Sequence, residues 1–535
     1  MRIRLLVSAA LLAAVAGGVA AQDPPTPQQP VFRAATRLIQ VSVVVHDGRK
    51  RPVPGLKAED FQVFEDGKER PVSFFSVLGD APAAAAAAAA SNTVFTNRVQ
   101  SPSGGGVVAI IYDRLNTAQL EQERVREHII KYLSQVKPDD RIGLYVLTEN
   151  GMAVLHDFTR DARSLLRVLN RSKGESAVSF EASNERPSDY VGFGDALDSA
   201  MEAFVRNGEA NARAFFERRR ALISIDGLEA VAKHLQGVSG RKNIIWISSG
   251  FPFEIWAFQP TGSNHIDVMS QETARAARAL NDTDAAVYAV DARGLVGAFS
   301  TPPAARQQAF TNIDTVQKPI EGLRQFAQRT GGEAFFNTND LGAAIARAVD
   351  DSRLTYILGY YPANEEWDGK FRQIKVKVRR DGVDVRHRAG YFAIPPSAVE
   401  TRASSMLDTL RSPLESTALP ISVTVQRGAD ERVTLQVQFE PGTPLLEKRG
   451  DTWHGAIDLL ISQTMPPGEH TSETDVTVPL TLNDAMRGQL LKEGLRFTRT
   501  ITLRDEAHDV RIVARDPATG HTGSVIIPAS ALRSP

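Results

Sequence analysis

Residues 107–362 alternate between strand patterns and amphipathic helix patterns, which constrains the fold more than any other feature of the chain. The run Val107–Tyr112 is continuously apolar, as expected for a strand that is buried on both faces of a sheet. Helix patterns follow it at 117–136 and 161–171, and a further strand pattern covers Asn243–Ile247. Regular alternation of this kind predicts an α/β domain with a doubly wound, mostly parallel sheet.

The second half of this region predicts further helices and a closing strand. Three separate helices are expected at about 194–207, 209–219 and 221–238. The basic run Arg218–Arg220 is interpreted as a solvated helix face. We expect Leu354–Gly359 to be the last strand of the parallel sheet.

Two short β segments flank the α/β domain. Residues 32–78 predict a small antiparallel β unit, and residues 363–395 predict a hairpin with strands at Phe371–Val378 and Val383–Tyr391. Neither segment has enough strands for a core of its own. We therefore expect both to belong to one β-sandwich into which the α/β domain is inserted.

The remaining segments are predicted to be linkers and a C-terminal β domain. Residues 22–31 are rich in Pro and Gln, and residues 79–106 are rich in Ala and Gly, so both are interpreted as linkers. A third linker is expected at 396–416, with room for a short helix. Residues 417–535 contain about seven short strand patterns, typical of a β-sandwich of immunoglobulin-like size.

Residues 1–21 have the layout of a secretory signal peptide. Arg2 and Arg4 precede an apolar run that ends in small residues at Val19, Ala20 and Ala21. This run is shorter than the ~20 residues of a bilayer-spanning helix, so cleavage is expected and no membrane span should remain. The sequence therefore predicts an exported protein of the periplasm or the extracellular space.

Composition excludes several classes of function. The chain has no cysteine, which excludes disulfide scaffolds, thiolate metal sites and cysteine nucleophiles. Lys and Arg number 62 and Asp and Glu number 63, so the net charge is -1. A dedicated nucleic-acid binder would carry a basic excess, so no nucleic-acid partner is expected.

Several short segments resemble one protein family. The apolar strand ends in Asp113 and is followed by a loop that reaches Thr117. Further supporting segments are Pro52–Phe64, Arg241–Phe253, Val287–Leu295, Thr355–Pro362 and Arg388–Phe392. Together they resemble von Willebrand factor A domain proteins, more specifically the VWFA-related exported proteins of acidobacteria. The resemblance covers about residues 32–395.

This resemblance implies a metal-ion-dependent adhesion site. In that site an Asp-x-Ser-x-Ser loop, a Thr and a further Asp hold Mg²⁺. Asp113 matches the first ligand and Thr117 the second hydroxyl, and Asn116 and Ser248 could add oxygens. Leu115 replaces the first Ser, so the site is degenerate and Mg²⁺ is only a possible cofactor. An equally open interpretation makes Asp113 the N-cap of the following helix.

These observations favour a non-enzymatic, adhesion-type binding protein that uses the von Willebrand factor A-like domain to contact an unidentified protein partner. One alternative is Mg²⁺-dependent binding through Asp113, Asn116 and Thr117. A second alternative is an exported serine hydrolase that uses Ser248 or Ser249. The second is disfavoured because Trp246 stands where the first Gly of a G-x-S-x-G elbow would be.

Overall fold

The computed structural model describes most of the chain beyond residue 37. The described residues are 38–78, 94–98, 106–137, 140–172, 177–180, 196–238, 241–249, 275–276, 279–293, 324, 327–338, 340–362, 367–368, 370–393, 402–428, 431–443, 446–466 and 468–533. The predicted signal peptide 1–21 and linker 22–31 lie outside them. Within this described part, no helix has both the length and the apolar character to cross a membrane.

The elements are numbered in chain order. The strands are β1 Ile39–Asp47, β2 Phe61–Glu65, β3 Lys68–Arg70, β4 Phe74–Leu78, β5 Val94–Thr96, β6 Val107–Asp113, β7 Arg141–Thr148, β8 Gly151–Thr159, β9 Lys242–Ser248, β10 Ala285–Asp291, β11 Ala334–Phe335, β12 Thr355–Tyr360, β13 Phe371–Val378, β14 Val383–Arg386, β15 Gly390–Phe392, β16 Ile421–Arg427, β17 Arg432–Phe439, β18 Glu447–Arg449, β19 Thr452–Met465, β20 Glu469–Leu482, β21 Leu495–Thr502, β22 Asp509–Arg515 and β23 Thr522–Pro528. The helices are α1 Gln119–Leu133, α2 Ala162–Arg171, α3 Ala196–Gln236, α4 Leu341–Arg353, α5 Arg402–Arg411, α6 Asp484–Glu493 and α7 Ala529–Leu532. A short 3₁₀ helix covers Ala58–Asp60.

Two four-stranded sheets form an N-terminal sandwich. Their strand orders are β14-β1-β12-β4 and β15-β13-β2-β3. Val41 on β1 pairs with Leu358 on β12, and Val63 on β2 pairs with Val376 on β13. Side chains from both sheets form one buried core. The segments 32–78 and 363–395 thus contribute strands to one sandwich, and the α/β domain lies between β4 and β12 in the chain.

The expected last strand of the parallel sheet belongs instead to this sandwich. Thr355–Tyr360 runs antiparallel to both β1 and β4. A buried central strand of a sandwich and a buried parallel strand have the same apolar pattern, so the sequence could not separate them. The hydroxyl of Tyr356 donates to the carbonyl of Val53 at 2.6 Å, and Tyr360 donates to Glu65 at 3.2 Å.

The prediction of a hairpin at 363–395 is also wrong in part. Its returning half divides between the two sheets, because β14 pairs with β1 and only β15 pairs with β13. Between them, Nε2 of His387 accepts a hydrogen bond from the amide of Val376 at 3.0 Å. The returning chain therefore closes one corner of the sandwich.

The α/β domain has a six-stranded sheet in the order β11-β10-β9-β6-β7-β8. All neighbours are parallel except β7 and β8. Helices α1, α2 and α4 bury their apolar side chains against one face, and the C-terminal part of α3 packs on the other. The prediction of a mixed α/β domain with a largely parallel sheet is confirmed.

Helix α3 corrects the expectation of three helices between 194 and 238. It is one continuous helix of 41 residues. The sequence has glycines at 208 and 227 but no proline in this range. A glycine within a helix costs only ~1 kcal/mol relative to alanine, so neither position ends the helix.

Two further sheets form a C-terminal sandwich, with orders β21-β17-β16-β5 and β18-β19-β22-β23, and β20 pairs with β19. The strand β5 comes from the predicted linker 79–106, which is therefore not entirely a linker. Phe95 pairs with Val423, and the side-chain amide of Asn97 donates to the carbonyl oxygens of Ser416 and Leu419 at 2.7 and 3.0 Å. A three-residue strand is too short to give a periodic signal.

The predicted linker 396–416 contains helix α5, which packs on the C-terminal sandwich. Met406 and Leu410 are buried against Leu460 and Val513. The short helix expected there is thus part of the sandwich's structure.

A buried carboxylate connects the N-terminal sandwich to the α/β domain. Asp351 on α4 is fully buried and lies 3.1 Å from Nε2 of His46 on β1. It accepts hydrogen bonds from Arg386 on β14 and, at 2.7 Å, from the hydroxyl of Tyr288 on β10. Burial opposes ionisation, but the hydrogen bond from His46 and the charge of Arg386 outweigh it and lower the pKa of Asp351 to about 2.

We predict that Asp351→Asn lowers the free energy of unfolding at neutral pH by about 3 kcal/mol, because the buried charge of Arg386 loses one of its two carboxylate partners and keeps only Glu333, at 2.8 Å. The stabilisation by Asp351 should be complete above the ordinary aspartate pKa and be lost as the pH falls toward 2. Urea denaturation at several pH values measures both effects. The control is Asp350→Asn, on the same helix but 54% exposed, which should change stability little. Equal losses in the two variants would contradict the prediction.

Candidate functional site

The carboxyl ends of β6 and β9 meet at the centre of the α/β sheet. The chain proceeds from β6 outward through β7 and β8 on one side, and through β9, β10 and β11 on the other. The point where the direction of winding changes is where open α/β sheets commonly bind ligands. Asp113 ends β6 and Ser248 ends β9, so two of the predicted site residues lie at this point.

Asp113 is completely buried and accepts hydrogen bonds on both carboxylate oxygens. Oδ1 accepts from the backbone amide of Asn116 at 2.9 Å and from its side-chain amide at 3.2 Å. Oδ2 accepts from the same side-chain amide at 3.0 Å and from the indole N–H of Trp246 at 3.0 Å. The hydrogen bond from the backbone amide of Asn116 holds the loop that leads into α1.

Asn116 continues this network toward helix α3. Its side-chain amide donates to the hydroxyl of Ser224 at 3.0 Å. Its carbonyl oxygen accepts from the guanidinium of Arg220 at 3.2 Å. Arg220 also lies over the ring of Phe180, 5.1 Å from the centroid. The buried aspartate is thereby connected to a buried cation through one asparagine.

Thr117 and Ser249 form a second, adjacent set of contacts. The hydroxyl of Thr117 accepts from the amide of Ser249 at 3.2 Å. The hydroxyl of Ser249 donates to the carboxylate of Glu121 on α1. The predicted residue Thr117 therefore contacts the loop after β9 and does not contribute a hydrogen bond to Asp113.

Burial governs the electrostatics of this cluster. It raises the pKa of Asp113, and hydrogen bonds from Asn116, Ser248 and Trp246 oppose the rise. Burial also lowers the pKa of Arg220, and the charge of Asp113 opposes that fall. The charge of Asp113 therefore supports the charged form of Arg220, whereas the charged form of Asp113 is supported by its hydrogen-bond donors.

The described residues around Asp113 do not fit a Mg²⁺ centre. Magnesium needs oxygen ligands in octahedral geometry. Asn116 presents its N–H₂ group to Asp113, and its oxygen accepts from Arg220. Leu115 is buried and offers no ligand. Elsewhere in the described ranges, no group of three or more His, Cys, Asp or Glu side chains is arranged to hold a metal ion.

Sequence reasoning predicted part of this cluster. The structure brings together Asp113, Asn116 and Ser248, as expected from their positions at strand ends. The donors Trp246 and Ser224 were not predicted from the sequence. The basic run Arg218–Arg220 was expected to be solvated, but its last residue is only 7% exposed. The interpretation of Asp113 as a helix N-cap is also not what the structure contains, because residue 118 precedes α1 without a side-chain cap.

The serine contacts give no support to hydrolase chemistry. Ser248 is fully buried, and its hydroxyl hydrogen-bonds to Asp113. Ser249 is 8% exposed, and its hydroxyl is directed at the carboxylate of Glu121. A serine nucleophile requires a neighbouring base that is itself oriented by a third group. These two hydrogen bonds provide structural connections between β6, β9 and α1.

Comparisons with known proteins give a limited result. No family model matches the chain, and no curated protein matches it. Among solved structures, a von Willebrand factor type A protein from Catenulispora acidiphila is similar over 87% of this chain and 75% of its own length. The identity is 9% and the TM-score 0.23, so this similarity supports no statement about the site.

The network makes a specific prediction about Trp246. Trp246→Phe removes one donor to the buried carboxylate, which should lower the free energy of unfolding by about 1.5–3 kcal/mol. The smaller phenylalanine ring also leaves a cavity, which adds a loss that does not depend on pH. The lost bond stabilises the charged form of Asp113. The loss should therefore be larger at alkaline pH than at acidic pH, where the carboxyl is protonated.

The matched control is Trp453→Phe. The indole of Trp453 donates to Asp484 at 2.7 Å, and this bond is exposed. Its removal should cost much less than the loss at Trp246, because water can replace the lost hydrogen bond. Chemical denaturation of both variants across the pH range compares the two bonds, and equal, pH-independent losses would contradict the prediction.

Proposed function

We propose that the protein is an exported, non-enzymatic binding protein whose α/β domain contacts a protein partner without a metal ion. The observation that carries this proposal is an exposed apolar face on helix α3. Export is inferred from the signal-like residues 1–21. The proposal includes no metal ion because both carboxylate oxygens of Asp113 already accept hydrogen bonds from protein donors.

Three large apolar side chains of α3 are exposed on one side of the helix. Met201 is 48% exposed, Phe204 75% and Phe215 62%. At ~100° per residue they lie within about 60° of the helix circumference. Val205 and Phe216 lie next to these side chains around the helix, about 40° and 60° from Met201, and are partly buried. We define Met201, Phe204 and Phe215 as the α3 apolar face, which is exposed beside this partly buried stripe.

An exposed apolar face of this kind marks a contact site for another protein. The apolar side chains repeat at helical spacing, so the complementary surface is a groove lined by apolar side chains. The two phenylalanines would act as anchors in it, since aromatic side chains contribute most of the energy in such interfaces. The proposed partner is therefore a protein with an apolar groove that accepts a helix.

The metal-free part of the proposal predicts the response to Mg²⁺. A cation at 100 times its dissociation constant would add ~2.7 kcal/mol, which corresponds to a few degrees in Tm. We expect no such difference between excess Mg²⁺ and EDTA in thermal unfolding of the full chain. Asp113→Asn should behave in the same way. A shift in the wild type that disappears in Asp113→Asn would instead establish Mg²⁺-dependent binding.

The α3 apolar face predicts a specific loss of contacts. When the protein is cross-linked in an envelope extract, the double variant Phe204→Ser with Phe215→Ser should lose one set of cross-linked partner proteins that the wild type captures. Its far-UV circular dichroism should stay unchanged. The control is Met486→Ser with Leu491→Ser on α6, where both side chains are also exposed, at 50% and 42%. The control should retain the set. An identical pattern for wild type and both double variants would contradict the proposed contact site.

A further inference from the structure

The α/β domain and the C-terminal sandwich meet at a compact joint around residues 414–419. The amide of Thr417 donates to the carbonyl of Lys233 on α3 at 3.3 Å, and the amide of Leu419 donates to Thr522 on β23 at 3.0 Å. The Thr417 hydroxyl donates to the carbonyl of His234 and accepts from the amide of Gly237, both at 2.8 Å. The connecting segment is thus fixed to both domains.

Gly237 shows how close this contact is. A Cβ atom at this position would lie 2.0 Å from the carbonyl oxygen of Thr417. Any larger residue would push the end of α3 away from the connecting segment. The joint therefore has little tolerance for displacement.

An imidazole lies within the joint. His234 is 4% exposed, and its Nδ1 donates to the backbone carbonyl of Glu415 at 2.8 Å. Its Nε2 faces the carboxylate of Asp157 on β8 at 3.6 Å. The ring stacks on Phe158 at 6.3 Å, and Tyr145 meets its edge at 5.9 Å. Both nitrogens face acceptors, an arrangement that only the protonated ring satisfies fully.

A carboxyl group lies on the other side of the joint. Glu415 accepts a hydrogen bond from the amide of Ile526 on β23 at 2.8 Å. Burial raises the pKa of Glu415 to about 7, which the charges of His234 and Arg511 partly oppose. The pKa of His234 is also raised, because the hydrogen bond and charge of Asp157 outweigh its burial.

Other charged groups also face these two residues. Asp157 raises the pKa of Glu415 and is itself influenced by His156. Arg141 on β7 interacts with Asp157. Asp157 is 58% exposed, so its interaction with His234 is partly screened by solvent. Burial is the largest cause of the raised pKa of Glu415, whereas the raised pKa of His234 depends on Asp157.

We propose that this joint is a pH-responsive connection that holds the C-terminal sandwich in a fixed position against the α/β domain in mild acid and releases it at alkaline pH. The pH dependence of docking has the same sign for Glu415 and for His234. Each has a raised pKa in the folded state, so the docked state gains protons and is favoured as the pH falls. Above neutral pH, Glu415 becomes a partly buried anion and His234 loses one donor.

The adjacent structure leaves room for such a movement. A cleft of about 490 Å³ lies beside the joint, between α3 and the end of α5. Arg275 bridges this cleft, 3.3 Å from Glu229 and 3.4 Å from Asp408. This bridge joins one guanidinium to two carboxylates and includes neither His234 nor Glu415, so it should keep the domains tethered when the joint opens.

The absence of cysteine makes a direct test possible in the full chain. Cysteines introduced as Lys131→Cys on α1 and Lys492→Cys on α6 are both at exposed positions and accept two dyes. Single-molecule energy transfer then reports the distance between domains. We expect one narrow population of interdomain distances in mild acid and a second population at higher pH. Through the transition, the ratio of the second population to the first should rise by up to about tenfold per pH unit for each proton that is released.

Variants separate the joint from other causes. Glu415→Gln stays neutral and should move the transition to higher pH, and Gly237→Ala should populate the released state even in acid. Glu447→Gln, at a 51% exposed position, is the control and should match the wild type. A single unchanged population at every pH, or a Glu415→Gln titration identical to that of wild type, would overturn the proposal. Far-UV circular dichroism verifies that each variant is folded.

Discussion

The pairing of β1 with β12 is the contact on which the architecture depends. The strand that begins the described chain finds its partner more than 300 residues later, with Ile39 opposite Tyr360. This pairing brings the two ends of the α/β domain together and completes the core of the N-terminal sandwich. Asp351 then fixes the orientation of the sandwich, because its carboxylate accepts hydrogen bonds from both sides of the boundary.

Local patterns predicted many of the elements, and their partners were harder to predict. The strands of the C-terminal sandwich alternate clearly, as in β17, where buried and half-buried side chains alternate from Val433 to Phe439. The strand at 355–360 was recognised but placed in the wrong sheet, since an apolar strand does not encode its neighbours. Strand β5 and helix α5 were placed in linkers because they are short, and their stability comes from tertiary contacts such as Asn97 with Ser416.

In the candidate site, too, positions along the chain were predicted but the hydrogen-bond partners were not. Strand-end positions predicted that Asp113 and Ser248 would meet, because parallel strands end at one edge of the sheet. The partners of Asp113 could not be inferred in the same way. No pattern indicated that Trp246 would donate to Asp113, and Arg220 lies more than 100 residues from Asn116 in the chain. Buried polar networks of this kind depend on side-chain directions that no periodic pattern describes.

Strand β5 has a consequence for how the protein is made. During synthesis, Val94–Thr96 leaves the ribosome long before its partner β16 exists, since Val423 follows Phe95 by more than 300 residues. The sheet edge that β5 covers belongs to a domain at the other end of the polypeptide. A C-terminal sandwich produced alone would therefore have an open edge at β16, where other chains could add a strand. The three folded parts therefore depend on one another's strands, and the chain has to be assembled as one unit.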